Sequence, residues 1–313
     1  MLFLLKRLGH MAIVLLGVTI VVFTLIHLVP GDPVRLAMGT RFDPDVYAAL
    51  RQASGLDRPL VEQYFTYLGN ALTGNLGVSF RSGDPVTLLL LQRLPATISL
   101  AIASLIVAAI ISFPLGIFSA LNRGTVGDVI VRVLSQLGVS VPDFWMGILL
   151  ILLFSTTLGW LPPSGYVPIT ENPWEWFRRV LLPAITVGAA SGAIMTRYIR
   201  SSVLESLGSD HARTARSKGL PERTVLGRHI LRNALVPVIT VGGVQLAGLL
   251  GGVVVVEVVF AWPGLGRLVY ESVAARDYPV IQGAVLLIAV LFLFINLIVD
   301  LVYAKVDPRI TLA

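Results

Sequence analysis

Three polar side chains in an otherwise apolar stretch, Gln136, Ser140 and Asp143, stand at i, i+4 and i+7. That spacing puts them on one narrow face of a single helix. A carboxylate at membrane depth is costly and usually faces a pore or a water-filled cavity. One reading is therefore a polar lining for a translocation path, with Asp143 meeting an ammonium group. The other starts a helix at Phe144 and leaves Asp143 to cap it after Pro142. Serine chemistry finds no support, because Gly77-Val78-Ser79 and Gly138-Val139-Ser140 do not complete G-x-S-x-G and no histidine is placed as a base. His10, His27, His211 and His229 form no ligand-spaced cluster; His27, at the end of an apolar run, reads as a hydrogen-bonded anchor. Zero cysteines exclude thiolate metal sites and thiol nucleophiles. No glycine precedes a lysine, so the phosphate cradle G-x-x-x-x-G-K-[ST] is missing and any ATP must be bound elsewhere.

The second informative stretch is 210–219. Ala212, Ala215 and Gly219 stand at i, i+3 and i+7, within an arc of about 60° at the helical rotation of about 100° per residue. Such a smooth stripe can lie in a groove on another protein, with Arg213, Arg216 and Lys218 engaging its rim and Thr214 beside them. Asp210 reads as the N-cap, and Gly219-Leu220-Pro221 as the stop. A second helix, 222–235, leads to Pro237. Further on, Glu257 is expected to brace the compact turn Trp262-Pro263-Gly264 at the surface or at a point of re-entry.

The elements that position these residues follow from composition. The chain is 55% hydrophobic and 13% charged, against roughly 45–50% and about 25% in soluble domains. Stretches free of Asp, Glu, Lys and Arg occur at 8–31, 94–122, 144–170, 180–196, 233–256 and 278–299. Crossing about 30 Å of hydrocarbon takes roughly 20 apolar residues, so these are six candidate spans. None alternates with period two, which argues for helices over a barrel. The N-terminal run is too long for a signal peptide's apolar region and reads as a retained anchor.

Lys6, Arg7, Arg123, the basic loop with Arg213, Arg216, Lys218, Arg223, Arg228 and Arg232, and the tail with Lys305 and Arg309 fall on one side of six crossings. By the positive-inside rule that side is cytoplasmic. On the opposite side Arg35, Arg41, Arg51, Arg58, Arg81 and Arg93 balance Asp32, Asp43, Asp45, Asp57, Glu62 and Asp84. The net charge of +6 thus reflects topology and anionic lipid rather than nucleic acid. The expected fold is an all-α membrane protein with six transmembrane helices and both termini cytoplasmic. Its parts are a first transmembrane helix over 1–30, a small extracytoplasmic cap over 31–94, and a five-helix core over 95–313 that includes a cytoplasmic loop over 201–236, between helices four and five.

Several blocks carry a resemblance: Pro30-Gly31-Asp32-Pro33-Val34, Gly55-Leu56-Asp57-Arg58-Pro59-Leu60, Thr214-Ala215-Arg216-Ser217-Lys218-Gly219-Leu220, and Arg228-His229-Ile230-Leu231-Arg232-Asn233-Ala234-Leu235. Glu257-Val258-Val259-Phe260-Ala261-Trp262-Pro263-Gly264-Leu265-Gly266, Arg276-Asp277-Tyr278-Pro279 and Asp307-Pro308-Arg309 extend it to the C-terminal end. The sequence resembles the dipeptide and oligopeptide permease family of binding-protein-dependent ABC importers. The resemblance implies a bacterial inner-membrane permease subunit, not an enzyme, that forms half of a pathway with a second, homologous permease. It implies two cytoplasmic ATPase domains carrying ATP and Mg, no cofactor on this chain, and an external solute-binding protein.

It also implies that a cytoplasmic helix over 210–219 docks into a cleft on the ATPase. The general pattern there is Glu-Ala-Ala, three residues, then Gly. Aligning its glycine to Gly219 places Arg213, Thr214 and Ala215 first, so the acidic start is absent, and Pro237 comes 18 residues after Gly219. Relatives of this family also import nickel, haem, opines or glutathione. A stand-alone secondary transporter would instead show inverted repeats and broken paired helices, which the sequence does not display.

Overall fold

The computed structural model describes residues 2–28, 31–38, 43–53, 55–250 and 253–306. Pro30, Arg41, Asp307, Pro308 and Arg309, and the side chain of Lys305, lie outside the described residues. Among the described residues the chain is helical, with one isolated bridge between Val78 and Pro85. The helices are α1 (Leu2–Leu28), α2 (Pro33–Met38), α3 (Pro44–Ala53), α4 (Leu60–Leu72), α5 (Val86–Leu121), α6 (Val126–Ser140) and α7 (Asp143–Leu150). They continue with α8 (Pro173–Gly208), α9 (Asp210–Ser217), α10 (Glu222–Thr224), α11 (Arg232–Leu250), α12 (Val254–Val259), α13 (Leu265–Ala275) and α14 (Tyr278–Val306). Two π-helical segments, Ile151–Thr157 and Val225–Leu231, follow α7 and α10.

Among the described residues, four helices are long and apolar enough to cross a membrane: α1, α5, α8 and α14. The count reaches six when each of two bent pairs is one span. The first pair is α6 with the helix from Asp143 to Thr157, bent by 100°. Pro142 explains the break: it has no N–H to donate and disfavours a helical conformation at the residue before it. Val141 is accordingly extended (φ −79°, ψ 124°). The second pair meets at Pro237 and bends by 43°.

At 36 residues, α8 is about 54 Å long, well beyond the hydrocarbon thickness, so its ends extend past the apolar run 180–196. Asn172 caps it, its side chain accepting from the Glu175 N–H at 3.1 Å, with Pro173 at the first helical position.

The chain divides into two compact units, residues 1–97 with 263–293 and residues 98–262 with 294–313. In the first, Val86, Leu90, Leu265, Val280 and Ala284 form a buried cluster. There α4 is tied to α1 through Tyr64, whose hydroxyl lies 3.1 Å from that of Thr19, and through Gln63, 3.1 Å from His27 Nε2. His27 is the hydrogen-bonded anchor its position suggested. In the second unit, one cluster joins Ala108, Ala120, Met195, Ile199 and Val203 to Ala212, Ala215, Val225 and Ile230. Close packing of α5 on α8 depends on small residues: a Cβ on Gly188 would stand 2.7 Å from the Ser104 carbonyl oxygen, and one on Gly116 2.7 Å from Ile199 Cγ2.

Candidate functional site

Ser209, extended at ψ 156°, occupies the N-cap position of α9, so Asp210 is its first helical residue and not its cap. The Asp210 carboxylate stands in solvent, 3.5 Å from Arg213 Nη1. The helix ends at Ser217 in a Schellman arrangement, in which Gly219 N–H donates to the Arg216 carbonyl at 2.9 Å and Leu220 N–H to that of Ala215 at 3.4 Å. Gly219 holds φ +75°, a left-handed conformation that glycine adopts without strain.

The smooth stripe therefore corrects in two ways. Gly219 lies beyond the helix and is exposed, while Ala212 and Ala215 are 0% and 4% exposed and pack inward against Val203, Val225 and Ile230. Small residues fit a close approach to the chain's own helices as well as to a foreign groove, and here the inner packing takes them. Their opposite face, Asp210, Arg213, Thr214 and Ser217, is exposed and spans about 100° of the helix circumference. Lys218 extends it at the C-cap.

Arg216 bridges the turn to α10. Its Nη2 donates to Glu222 Oε1 at 2.7 Å and its Nε to Oε2 at 3.2 Å. The hydrogen bond and charge of Glu222 raise the guanidinium's pKa further. On the adjoining side His211 Nε2 lies 3.0 Å from both Ser209 Oγ and Asn233 Nδ2.

Gln136, Ser140 and Asp143 do not share one helix face, because the 100° bend falls between Ser140 and Asp143. Gln136 and Ser140 are exposed on α6, where Ser140 Oγ donates to the Gln136 carbonyl at 2.9 Å. Asp143 opens α7 half-buried, with Pro142 at the N-cap position and no side-chain cap.

Of the two positions expected for the turn near Glu257, surface or re-entry, burial argues against the surface: Glu257 is 1% and Trp262 0% exposed. Glu257 braces it through its backbone, its carbonyl accepting from Trp262 N–H at 2.8 Å, while Ala261 takes φ 49°. Tyr166 packs edge-on against the Trp262 indole, ring centroids 4.8 Å apart. Pro263 is half-buried, and Gly264 forms the N-cap of α13 in an extended conformation.

Sequence reasoning missed two buried clusters. Asp277, at the start of α14, accepts from the Ser79 hydroxyl at 2.5 Å and from Phe80 N–H at 3.1 Å. Ser79 is thus a structural donor, and the Arg276-Asp277-Tyr278-Pro279 block has a physical role. Between α5, α6 and α8, the Asp128 carboxylate, 2% exposed, receives a two-pronged contact from Arg200 at 2.8 and 3.0 Å. Ser119 Oγ donates to it at 2.6 Å and Gly124 N–H at 3.1 Å. The sequence signal was an arginine four residues past the apolar run of α8, without its partner. In the first unit, a cavity of about 580 Å³ is lined by His27, Asp32, Arg51, Arg58, Gln63 and Tyr67, among others.

Residues 112–312 match the family described as binding-protein-dependent transport system inner membrane component, and residues 1–101 match its N-terminal counterpart. The chain belongs to this family. It is 40% identical over 329 residues to the di/tripeptide transport system permease protein DppB of Pseudomonas aeruginosa, with 98% of each chain covered. It is 43% identical over 308 residues to the glutathione transport system permease protein GsiC of Escherichia coli, again with 98% of each covered. Among solved structures, a chain of the MetNI methionine ABC transporter in an inward-facing conformation aligns with a TM-score of 0.57 at 17% identity, covering 70% of this chain and 96% of that one. That likeness concerns the fold.

Family membership makes this chain a multi-pass inner-membrane transport subunit, the permease part of an ABC importer rather than an enzyme. Such a permease works with an ATPase that hydrolyses ATP and a substrate-binding protein.

Proposed function

We propose that this permease forms half of a transmembrane pathway for dipeptides or oligopeptides, completed by a second, homologous permease subunit. The observation that carries the substrate class is the end-to-end match to the di/tripeptide permease at 40% identity. Six crossings complete the arrangement when each bent pair is one span, with both termini and residues 201–236 cytoplasmic and 31–94 outside, where the binding protein docks. Two ATPase domains bind ATP and Mg below.

Within this reading α9 is the coupling element. Asp210, Arg213, Thr214, Ser217 and Lys218 face the ATPase, Ala212 and Ala215 anchor the helix to its own bundle, and Arg216 and Gly219 fix the turn that returns the chain to α10. Gln136, Ser140 and Asp143 flank the bend between α6 and α7, where a kinked span leaves backbone carbonyls for a solvated path. Glutathione, itself a tripeptide, is a second substrate reading, favoured by the 43% identity to the glutathione permease. Mass spectrometry of small molecules retained by the cognate binding protein separates the readings. Mixed short peptides support the first and glutathione alone the second, whereas a nickel complex or haem would remove both. Because the chain has no cysteine, single introduced cysteines at 75 and 214 test the topology: the first should react with an impermeant maleimide in intact cells and the second only after lysis.

A further inference from the structure

Arg200 lies on α8 eight residues before its last residue, Gly208, about 12 Å along the helix axis. The same stretch of α8 holds Val203, which packs in the cluster with Ala212 and Ala215, and Ser202, whose hydroxyl donates to the Ala234 carbonyl of α11 at 2.9 Å. The last two turns of α8 are therefore fastened to α9 and to α11. Arg200 fastens them to a third place. Its Nε and Nη2 grip both oxygens of Asp128, and its Nε also lies 3.0 Å from Ser119 Oγ.

Asp128 sits in the first turn of α6, Ser119 in the last turn of α5, and Gly124 in the turn between them. With Arg132 Nε 3.5 Å away as well, the carboxylate meets donors from three helices and one turn. A planar fork on a carboxylate fixes orientation as well as distance. Buried pairs of this kind are weak contributors to stability, and their best-attested role is to set register.

We propose that the Arg200–Asp128 pair is the joint through which displacement of α9 reaches the bent pair α6–α7. Arg200 and Asp128 are positioning residues in this scheme: they hold the end of α8 and the start of α6 in one register. The inference rests on the reading of α9 as the ATPase contact.

The test uses the complete transporter, both permeases with the ATPases and binding protein, reconstituted in vesicles with trialanine as the probe. The readout is peptide imported per ATP hydrolysed, at measured levels of assembled complex. In the double variant Asp128→Leu/Arg200→Met, apolar side chains replace both charges, so neither is left buried alone. It should assemble, hydrolyse ATP within twofold of the parent, and import tenfold less peptide per ATP. Arg200→Lys keeps the charge and loses the fork, and should lose about threefold in the same ratio at full assembly.

An unchanged ratio in Arg200→Lys, or in a double variant that assembles, would overturn the joint. So would import and hydrolysis that fall together in proportion to assembled complex, the signature of a structural staple alone. Thr214→Trp, on the exposed face of α9, is the control for the underlying reading. If it abolishes ATPase binding while the double variant imports normally, only the joint falls. If Thr214→Trp binds ATPase and imports normally, the reading of α9 falls, and the joint with it.

Discussion

The two faces of α9 make opposite predictions for the same substitution. Ala215 is 4% exposed inside a cluster with Val203, Val225 and Ile230, so Ala215→Trp must push an indole into space already filled. Overpacking of this kind costs about 1–3 kcal/mol, and each 1.4 kcal/mol is about a tenfold shift in a folding equilibrium. Thr214, one residue away, is exposed, and surface substitutions there stay within about 0.5 kcal/mol. Ala215→Trp should therefore lower the amount of permease in the membrane severalfold or more. Thr214→Trp should leave that amount unchanged and lose the ATPase. The assay is co-purification of ATPase with tagged permease from detergent-solubilised membranes, normalised to permease. Normal permease levels for Ala215→Trp would refute the inward packing, and normal ATPase recovery for Thr214→Trp would refute the docking face.

Further outcomes follow from other contacts. Gly188→Leu should separate α5 from α8, since even a Cβ there would stand 2.7 Å from the Ser104 carbonyl oxygen; permease levels and thermal stability in detergent should both drop. Gly219→Val must adopt φ +75° with a branched side chain, at a cost of about 1–3 kcal/mol, whereas Gly219→Asn should be milder; thermal unfolding of the solubilised complex ranks the two. Asp277→Ala should free the loop at Ser79 and Phe80, which loses both hydrogen bonds. Faster protease cleavage near residue 80, at an unchanged rate in α8, is the expected result.

The apolar runs 8–31, 94–122, 180–196 and 278–299 were legible as the spans α1, α5, α8 and α14, because a helix in lipid must be apolar through the hydrocarbon, whereas the run 144–170 is helical only to Thr157 and pairs with α6 instead. Pro142 marked a break as well, but only coordinates show that it turns the chain by 100° and so separates Asp143 from Gln136 and Ser140. The direction of the Ala212–Ala215 stripe was not legible. Small side chains serve any close approach, and which partner occupies that side depends on Val225 and Ile230, ten and fifteen residues past Ala215. Arg200 and Asp128 are 72 residues apart, and nothing local in either segment announces the other. Exposure decided what periodicity left open, moving the candidate contact from the alanines to Arg213, Thr214 and Ser217.

Transport through this permease draws on ATP hydrolysed by its partner ATPase. Peptide uptake into vesicles containing the purified assembly measures this most directly. Uptake should occur only with ATP, the ATPases and the binding protein all present, and stop when any one is omitted. Uptake by this chain alone, driven by a proton or sodium gradient without ATP, would contradict it.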